Sequence, residues 1–112
     1  MHKDEWVYVI HVFERAQKII RFTDGMSESD FVKDEKTQSA VIRELEVIGE
    51  ASKKITQDFR NTHIAIPWKL MAQMRDVLIH NYEGVDLMNV WDTVKKDIPV
   101  LILELEKIVP SE

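Results

Sequence analysis

Apolar residues recur along this chain at spacings of three and four positions, and this period constrains the fold more than any other feature. In the first stretch, about Asp4 to Phe22, one apolar stripe consists of Trp6, Val9, Ile10, Phe13, Ala16 and Ile20. Such spacing places the side chains on one face of an α-helix. Because Val12 and Ile19 lie off this stripe, we expect the helix to be buried on a second side as well.

A second long helix is expected to begin at Asp34, a favourable N-cap residue, and to reach about Phe59. Its apolar stripe consists of Val41, Leu45, Ile48, Ala51 and Ile55. Between the two long helices, Ser27 and Asp30 have the spacing of a capping box and predict a short helical turn.

The third helix is predicted to begin at Pro67, which suits a first helical turn, and to stop at Gly84. The residues that it should bury are Leu70, Met71, Met74, Val77 and Leu78. Asp86 is expected to cap a fourth helix. Pro99 interrupts that helix and predicts a kink or a restart near Asp97, because proline lacks an N–H and its ring clashes with the preceding turn.

The composition agrees with a single helical domain over residues 1–112. The chain is long enough for one hydrophobic core, and it has only three glycines and three prolines, which disfavours a turn-rich all-β fold. We therefore predict an all-α, antiparallel bundle of four to five helices, with the last helix broken near Pro99.

The sequence also limits where the protein acts. No apolar run approaches the length of a membrane span, and the first residues, MHKDEWVYVI, carry charges where a signal peptide would be apolar. A cytoplasmic location and no membrane contact are therefore expected. The absence of cysteine excludes disulfides and thiolate metal sites. The net charge of −5 gives no global attraction to nucleic acid.

Two groups of polar residues allow alternative interpretations. Glu46 and Glu50 share a helix face and are either paired carboxylates or part of a solvated face, with Glu50 bonded to Lys54 one turn later. Three scattered histidines are expected to pack or to lie at the surface rather than to bind metal: His2, His11 and His63. We predict no metal site and no cofactor.

The segment RDVLIHNY, Arg75 to Tyr82, places an arginine, a histidine and a tyrosine near one helix end. On an ideal helix Arg75 and Tyr82 point the same way, whereas His80 lies about 140° from Arg75. Local capping and packing would explain these residues, and so would a site for phosphate. The arginine and the histidine could meet within one subunit through unwinding before Gly84, or across an interface with a second copy.

The same segment resembles the signature of HEPN-domain proteins of the HepT toxin type. Arg75, four residues, His80, one residue and Tyr82 follow that signature, and Asp76 fills a position that is commonly polar and is often asparagine in HepT-like chains. Three segments also resemble HepT segments in the same order: ELEVIGEASKKI, IPWKLMAQMRDVLIHNY and GVDLMNVWDTVKKDIPVL. The resemblance covers most of the chain from about residue 34 onward.

This resemblance implies a homodimer in which the two motif helices face one cleft, and a metal-independent ribonuclease toxin. It also implies a partner, a minimal nucleotidyltransferase antitoxin (MntA-like), which silences the toxin by adding AMP to the motif tyrosine, here Tyr82. Asp76 would orient Arg75 or His80, or form a structural salt bridge.

The residue chemistry fits RNA cleavage. Histidine exchanges protons near neutral pH, so His80 is expected to act as general base or acid. Arg75 stays charged and can hold two phosphate oxygens, so it is expected to bind phosphate and stabilise the transition state. The alternative is a non-catalytic dimeric adaptor that binds a nucleotide or docks the nucleotidyltransferase.

Overall fold

The computed structural model describes residues 3–79 and 86–110, and the side chains of 5–74 and 86–110. Seven α-helices lie in these ranges: α1 (Lys3–Thr23), α2 (Glu28–Lys33), α3 (Glu35–Ser52), α4 (Gln57–Thr62), α5 (Trp68–Ile79), α6 (Leu87–Asp92) and α7 (Ile98–Glu106). A π-helical turn, Thr93–Asp97, joins α6 to α7. The described chain contains no strand, which confirms the prediction of an all-α fold.

Helices α1 and α3 form the centre of the bundle. Helix α1 packs against α3 and α7, while α3 also packs against α5 and α2. Val12 and Ile19 are fully buried, as expected for a first helix that is covered on two sides. Other fully or almost fully buried core side chains include Val9, Ala16, Val41, Leu45, Ile48, Met71, Met74, Val94, Ile98, Leu101 and Leu105.

The local signals for helix starts are confirmed before α2 and α3. Asp30 N–H donates to the Ser27 hydroxyl at 3.1 Å, and the Asp30 carboxylate accepts from Ser27 N–H at 3.0 Å, which completes the capping box. The Asp34 carboxylate accepts from the N–H and the hydroxyl of Thr37 at 3.0 and 2.8 Å. These contacts satisfy N–H groups that have no partner inside the helix.

The prediction that the second long helix reaches about Phe59 was wrong, because α3 ends at Ser52 and α4 begins after Thr56. At the end of α3 the Ser52 hydroxyl donates to the Gly49 carbonyl, and Nη2 of Arg60 donates to the Ser52 carbonyl, both at 2.7 Å. Thr56 caps α4 by accepting from Phe59 N–H at 3.2 Å. The carboxylate of Glu5, on α1, accepts from both the N–H and the hydroxyl of Thr56, at 2.8 and 2.7 Å. A contact from a distant helix therefore supports the break.

The last helical segment shows the predicted restart before Pro99. Ile98 N–H donates to the carbonyl of Thr93, five residues earlier, so the backbone widens into a π-helical turn. Helix α7 then begins at Ile98 with Pro99 in its first turn, where the missing N–H costs nothing. Within the described ranges, no helix is both long enough and apolar enough to cross a membrane.

Candidate active site on helix α5

Helix α5 carries the first residues of the arginine–histidine motif, and its beginning is firmly anchored. The indole N–H of Trp68 donates to the carbonyl of His63 at 2.9 Å, and the Trp68 ring lies edge-on to Phe59 at 5.9 Å. Met71 and Met74 are both buried against the rest of the bundle. Because α5 packs chiefly against α3, the backbone that enters the motif has a fixed position in the fold.

Arg75 and Asp76 lie in the second half of α5, which ends at Ile79. Arg75 follows Met71 by four positions, so its Cα lies one turn further along the same side of the helix. The side chains of Arg75 and Asp76, and the whole of His80 and Tyr82, lie outside the described residues. The meeting of Arg75 with His80 therefore stays a prediction, as does the stop at Gly84.

Beyond the motif, the chain is anchored again at Asp86. The Asp86 carboxylate accepts from the N–H groups of Met88 and Asn89, at 3.1 and 3.2 Å, which confirms the predicted cap of α6. Helix α6 packs against α2, where the rings of Trp91 and Phe31 lie 5.2 Å apart. The motif therefore connects two well-packed elements, α5 on α3 and α6 on α2.

The two glutamates that could have formed a carboxylate pair lie on the solvent side of α3. Glu46 is half exposed and lies 3.8 Å from Nη1 of Arg43. Glu50 is 58% exposed and forms an ion pair of 3.6 Å with Lys53. These contacts favour the interpretation as a solvated face, since exposed pairs of this kind contribute little to stability.

The histidines that the structure describes take part in packing and surface hydrogen bonds. His11 accepts from Nε of Arg15 at 3.3 Å. The His63 ring lies 4.6 Å from Phe59, while His2 is outside the described residues. Where side chains are described, no three histidine, aspartate or glutamate residues come close enough to hold a metal ion.

One feature that the sequence did not indicate is a groove between the start of α1 and helix α4. It is lined by Glu5, Trp6, Asp58, Phe59, Thr62 and His63, and we call it the aromatic groove. Its two sides come from segments about fifty positions apart in the chain. No local pattern could have connected them, because only the packing of α4 on α1 brings them together.

The all-α fold and the motif at the end of α5 define the class of HEPN-like helical proteins. Comparison with known proteins specifies the family: the family model "Ribonuclease HepT-like" matches residues 12–108. The chain therefore belongs to the HepT-like ribonuclease family. This result confirms both the resemblance found in the sequence and the expected enzyme class, a ribonuclease.

Several relatives match over nearly the full length of this chain. The "Probable ribonuclease HepT" of Thermococcus cleftensis is 51% identical over 107 residues, which cover 96% of this chain and 94% of the relative. A candidate RNase of Methanocaldococcus jannaschii is 46% identical over 107 residues, which cover 96% of this chain and 88% of the relative. A candidate RNase of Caldanaerobacter subterraneus is 41% identical, with 94% of each chain covered. No solved structure matches this chain.

Proposed function

We propose that this protein is a metal-independent endoribonuclease and the toxin half of a two-component module. The observation that carries the proposal is the match to the HepT-like ribonuclease family over residues 12–108, which includes the motif Arg75–x4–His80–x–Tyr82. The anchoring of α5 supports it further, because a catalytic group is effective only when the scaffold holds it in one position.

In the proposed reaction, His80 takes the proton from a ribose 2′-hydroxyl. The 2′-oxygen attacks the adjacent phosphorus, the bond from phosphorus to the 5′-oxygen breaks, and the leaving oxygen takes up a proton. The products are a 2′,3′-cyclic phosphate and a free 5′-hydroxyl. Arg75 stabilises the additional negative charge on the phosphoryl oxygens, and Asp76 orients Arg75 or His80. This division of roles needs no metal ion, because the guanidinium supplies the positive charge.

The proposed active form is a homodimer with two α5 helices facing one cleft. The helical phase separates Arg75 from His80 by about 140°, and a second copy would bring Arg75 of one protomer towards His80 of the other. The position of α5 is compatible with this arrangement, since it packs chiefly on α3 and its outer residues Lys69, Ala72 and Gln73 are exposed.

The proposed partner is a minimal nucleotidyltransferase that acts as antitoxin. The Tyr82 hydroxyl would attack the α-phosphorus of ATP, pyrophosphate would leave, and AMP would remain bound to the tyrosine oxygen. The added phosphate and nucleoside would occupy the space that the RNA backbone needs, and their negative charge would repel it. One modification would therefore block both binding and cleavage.

The nuclease proposal is tested by incubating the purified protein with end-labelled RNA in the presence of EDTA. We expect cleavage to products with cyclic phosphate ends. Arg75→Ala and His80→Ala should each reduce the rate at least about 100-fold, with an unchanged helical circular-dichroism signal. Matched controls are Arg43→Ala, at an arginine that is 72% exposed on α3, and His11→Gln, on α1. Both controls should cleave at the rate of the wild type.

A non-catalytic adaptor is the second candidate, and the net charge of −5 specifically favours it, because an enzyme that acts on RNA gains from a basic surface. If both motif variants cleave as fast as the wild type, the cleavage comes from a contaminating nuclease or from another site, and the assignment of the reaction to Arg75 and His80 fails. Binding of the nucleotidyltransferase without any cleavage of RNA would then support the adaptor.

A further inference from the structure

The aromatic groove lies between the start of α1 and helix α4, on elements that the motif does not use. Its volume is about 230 Å³, which suits one large side chain rather than a nucleotide. The rings of its wall fix one another: Trp6 stands edge-on to Phe59 at 5.1 Å and to His63 at 5.7 Å. Phe59 is buried, whereas Trp6 and His63 are only half-buried, so ring surface remains open to the groove.

The polar groups of the groove make it attractive to a cation. Asp58 is exposed at its rim, whereas the carboxylate of Glu5 beneath is buried and accepts from the N–H and the hydroxyl of Thr56. A cationic head beside Asp58 would lie next to aromatic ring surface, and rings attract cations at their faces. A phosphate group would instead be repelled by the exposed carboxylate of Asp58, which disfavours RNA as the occupant.

A large apolar residue adjoins the groove in the sequence. Ile64 follows His63 directly and is 84% exposed, the most exposed of the large hydrophobic residues in the described chain. An aromatic pocket with an exposed aliphatic neighbour and a charged rim has the composition of a protein-docking site, where a few anchors contribute most of the binding energy. A single exposed isoleucine would be unremarkable without the groove.

We propose that the aromatic groove and Ile64 together dock a basic segment of a protein partner. A lysine or arginine of that segment lies against Trp6 and His63 beside Asp58, and a neighbouring apolar side chain packs on Ile64. Charge complementarity indicates the partner's chemistry, since the groove offers the Asp58 carboxylate and ring faces, and this chain has a net charge of −5.

The alternative is that the residues of the groove have only a structural role. Asp58 in the first turn of α4 interacts favourably with the helix dipole, and the rings extend the core. This alternative does not account for the open ring surface or for the exposure of Ile64. It predicts that basic and acidic peptides bind equally poorly.

The docking site lies at the opposite end of α5 from the end of the motif. Trp68, which begins α5, contacts Phe59 of the groove wall, and Ile79 ends the helix about 16 Å further along its axis. A partner held in the groove would leave the motif accessible. The inference does not depend on the nuclease activity, because binding can be measured on a protein without any activity.

The test is a titration of the isotope-labelled protein with a panel of capped pentapeptides, followed by NMR. The panel has a central lysine or arginine flanked by leucine, isoleucine or phenylalanine, and a matched set has glutamate at the centre. We expect saturable shifts of the Trp6 indole signal with basic members only. Asp58→Asn and Ile64→Ser, both surface changes, should each weaken binding about threefold or more. Glu46→Gln, at a half-exposed carboxylate on α3, should leave the affinity unchanged.

Three results would overturn the proposal. They are the absence of saturable binding by every basic peptide, equal binding of the acidic set, and unchanged affinity in both Asp58→Asn and Ile64→Ser. Spermidine serves as a competitor in the same titration. If it binds at the groove as tightly as the best peptide, the ligand is a free polyamine rather than a protein segment, and the assignment to a protein partner fails.

Discussion

The indole Nε1 of Trp68 lies 2.9 Å from the carbonyl oxygen of His63 and donates a hydrogen bond to it. The bond closes the loop between α4 and α5, so the first residue of α5 is held by the end of α4. Trp68 is only 8% exposed, which leaves little access for water to replace the bond if it is lost. Together with the packing of α5 on α3, this contact helps to fix the start of the helix that carries the motif.

Trp68→Phe should lower the free energy of unfolding by about 1 kcal/mol, because the ring still packs but the His63 carbonyl keeps only the N–H of Ile66 as a donor. Urea denaturation followed by circular dichroism measures the loss. The control is Trp91→Phe, since Trp91 is also 8% exposed but donates no hydrogen bond from its indole among the described residues. A loss in the Trp91 variant as large as that in the Trp68 variant would show that ring volume, rather than the hydrogen bond, determines the effect.

Acid should weaken the cap of α3. Hydrogen bonds from Thr37, first from its backbone N–H and then from its hydroxyl, lower the pKa of the Asp34 carboxyl below its ordinary value of 3.8. A carboxyl whose pKa is lower in the folded state adds stability above its unfolded pKa, and this stability is lost as the pH falls through the folded value. Melting temperatures measured from pH 6 down to pH 2 should therefore fall less steeply in Asp34→Asn than in the wild type.

Thr37→Val provides the intermediate case for Asp34. It removes the hydroxyl, which donates at 2.8 Å, and keeps the backbone N–H, which donates at 3.0 Å. Its acid sensitivity should fall between those of the wild type and Asp34→Asn. The same slope in all three proteins would mean that this cap does not contribute to the pH dependence of stability.

Hybrid dimers test whether each active site takes residues from two protomers. Arg75→Ala and His80→Ala are each expected to be inactive alone. Suppose that each site takes Arg75 from one chain and His80 from the other. A hybrid dimer of the two variants then has one site that lacks both side chains and one site that keeps both. Equal mixing after unfolding and refolding makes half of the dimers hybrids, so about a quarter of the wild-type cleavage rate should return. No recovery would mean that Arg75 and His80 act within one chain, or that the chain does not pair.

Much of the fold followed from short-range patterns. The capping box at Ser27, the caps at Asp34 and Asp86, and the restart before Pro99 all depend on residues within one helical turn, and all four predictions are confirmed. The end of α3 did not follow, because the break before Thr56 is supported by Glu5, which lies 51 positions earlier in the chain. A contact over that distance has no local signature.

The candidate site was predictable only in part, for a related reason. The motif was found by its resemblance to a family, whereas periodicity alone left Arg75 and His80 on different flanks of a helix. The aromatic groove was missed altogether, because Trp6 and Phe59 meet only after α4 has folded against α1. Sequence patterns locate residues along an element, but two surfaces that meet across elements depend on the tertiary packing.

The last prediction separates regulation from catalysis at Tyr82. The chain has two tyrosines, so AMP bound to a tyrosine must be on Tyr82 or on Tyr8, which is half-buried in α1. Incubation with ATP and the proposed nucleotidyltransferase partner should increase the mass of the wild type and of Tyr8→Phe by one or more AMP units. Tyr82→Phe should gain none, because it lacks the hydroxyl that attacks the α-phosphorus.

The rate of RNA cleavage should depend on whether AMP is attached to Tyr82. Tyr82→Phe keeps the ring and the motif's Arg75 and His80, so we expect it to cut RNA at a rate within about tenfold of the wild type, since it loses at most one hydrogen bond to phosphate. After treatment with the transferase, the wild type should lose its activity while Tyr82→Phe keeps it. If the treated variant is silenced as fully as the wild type, inhibition occurs through binding or through another residue, and Tyr82 is not the regulatory site.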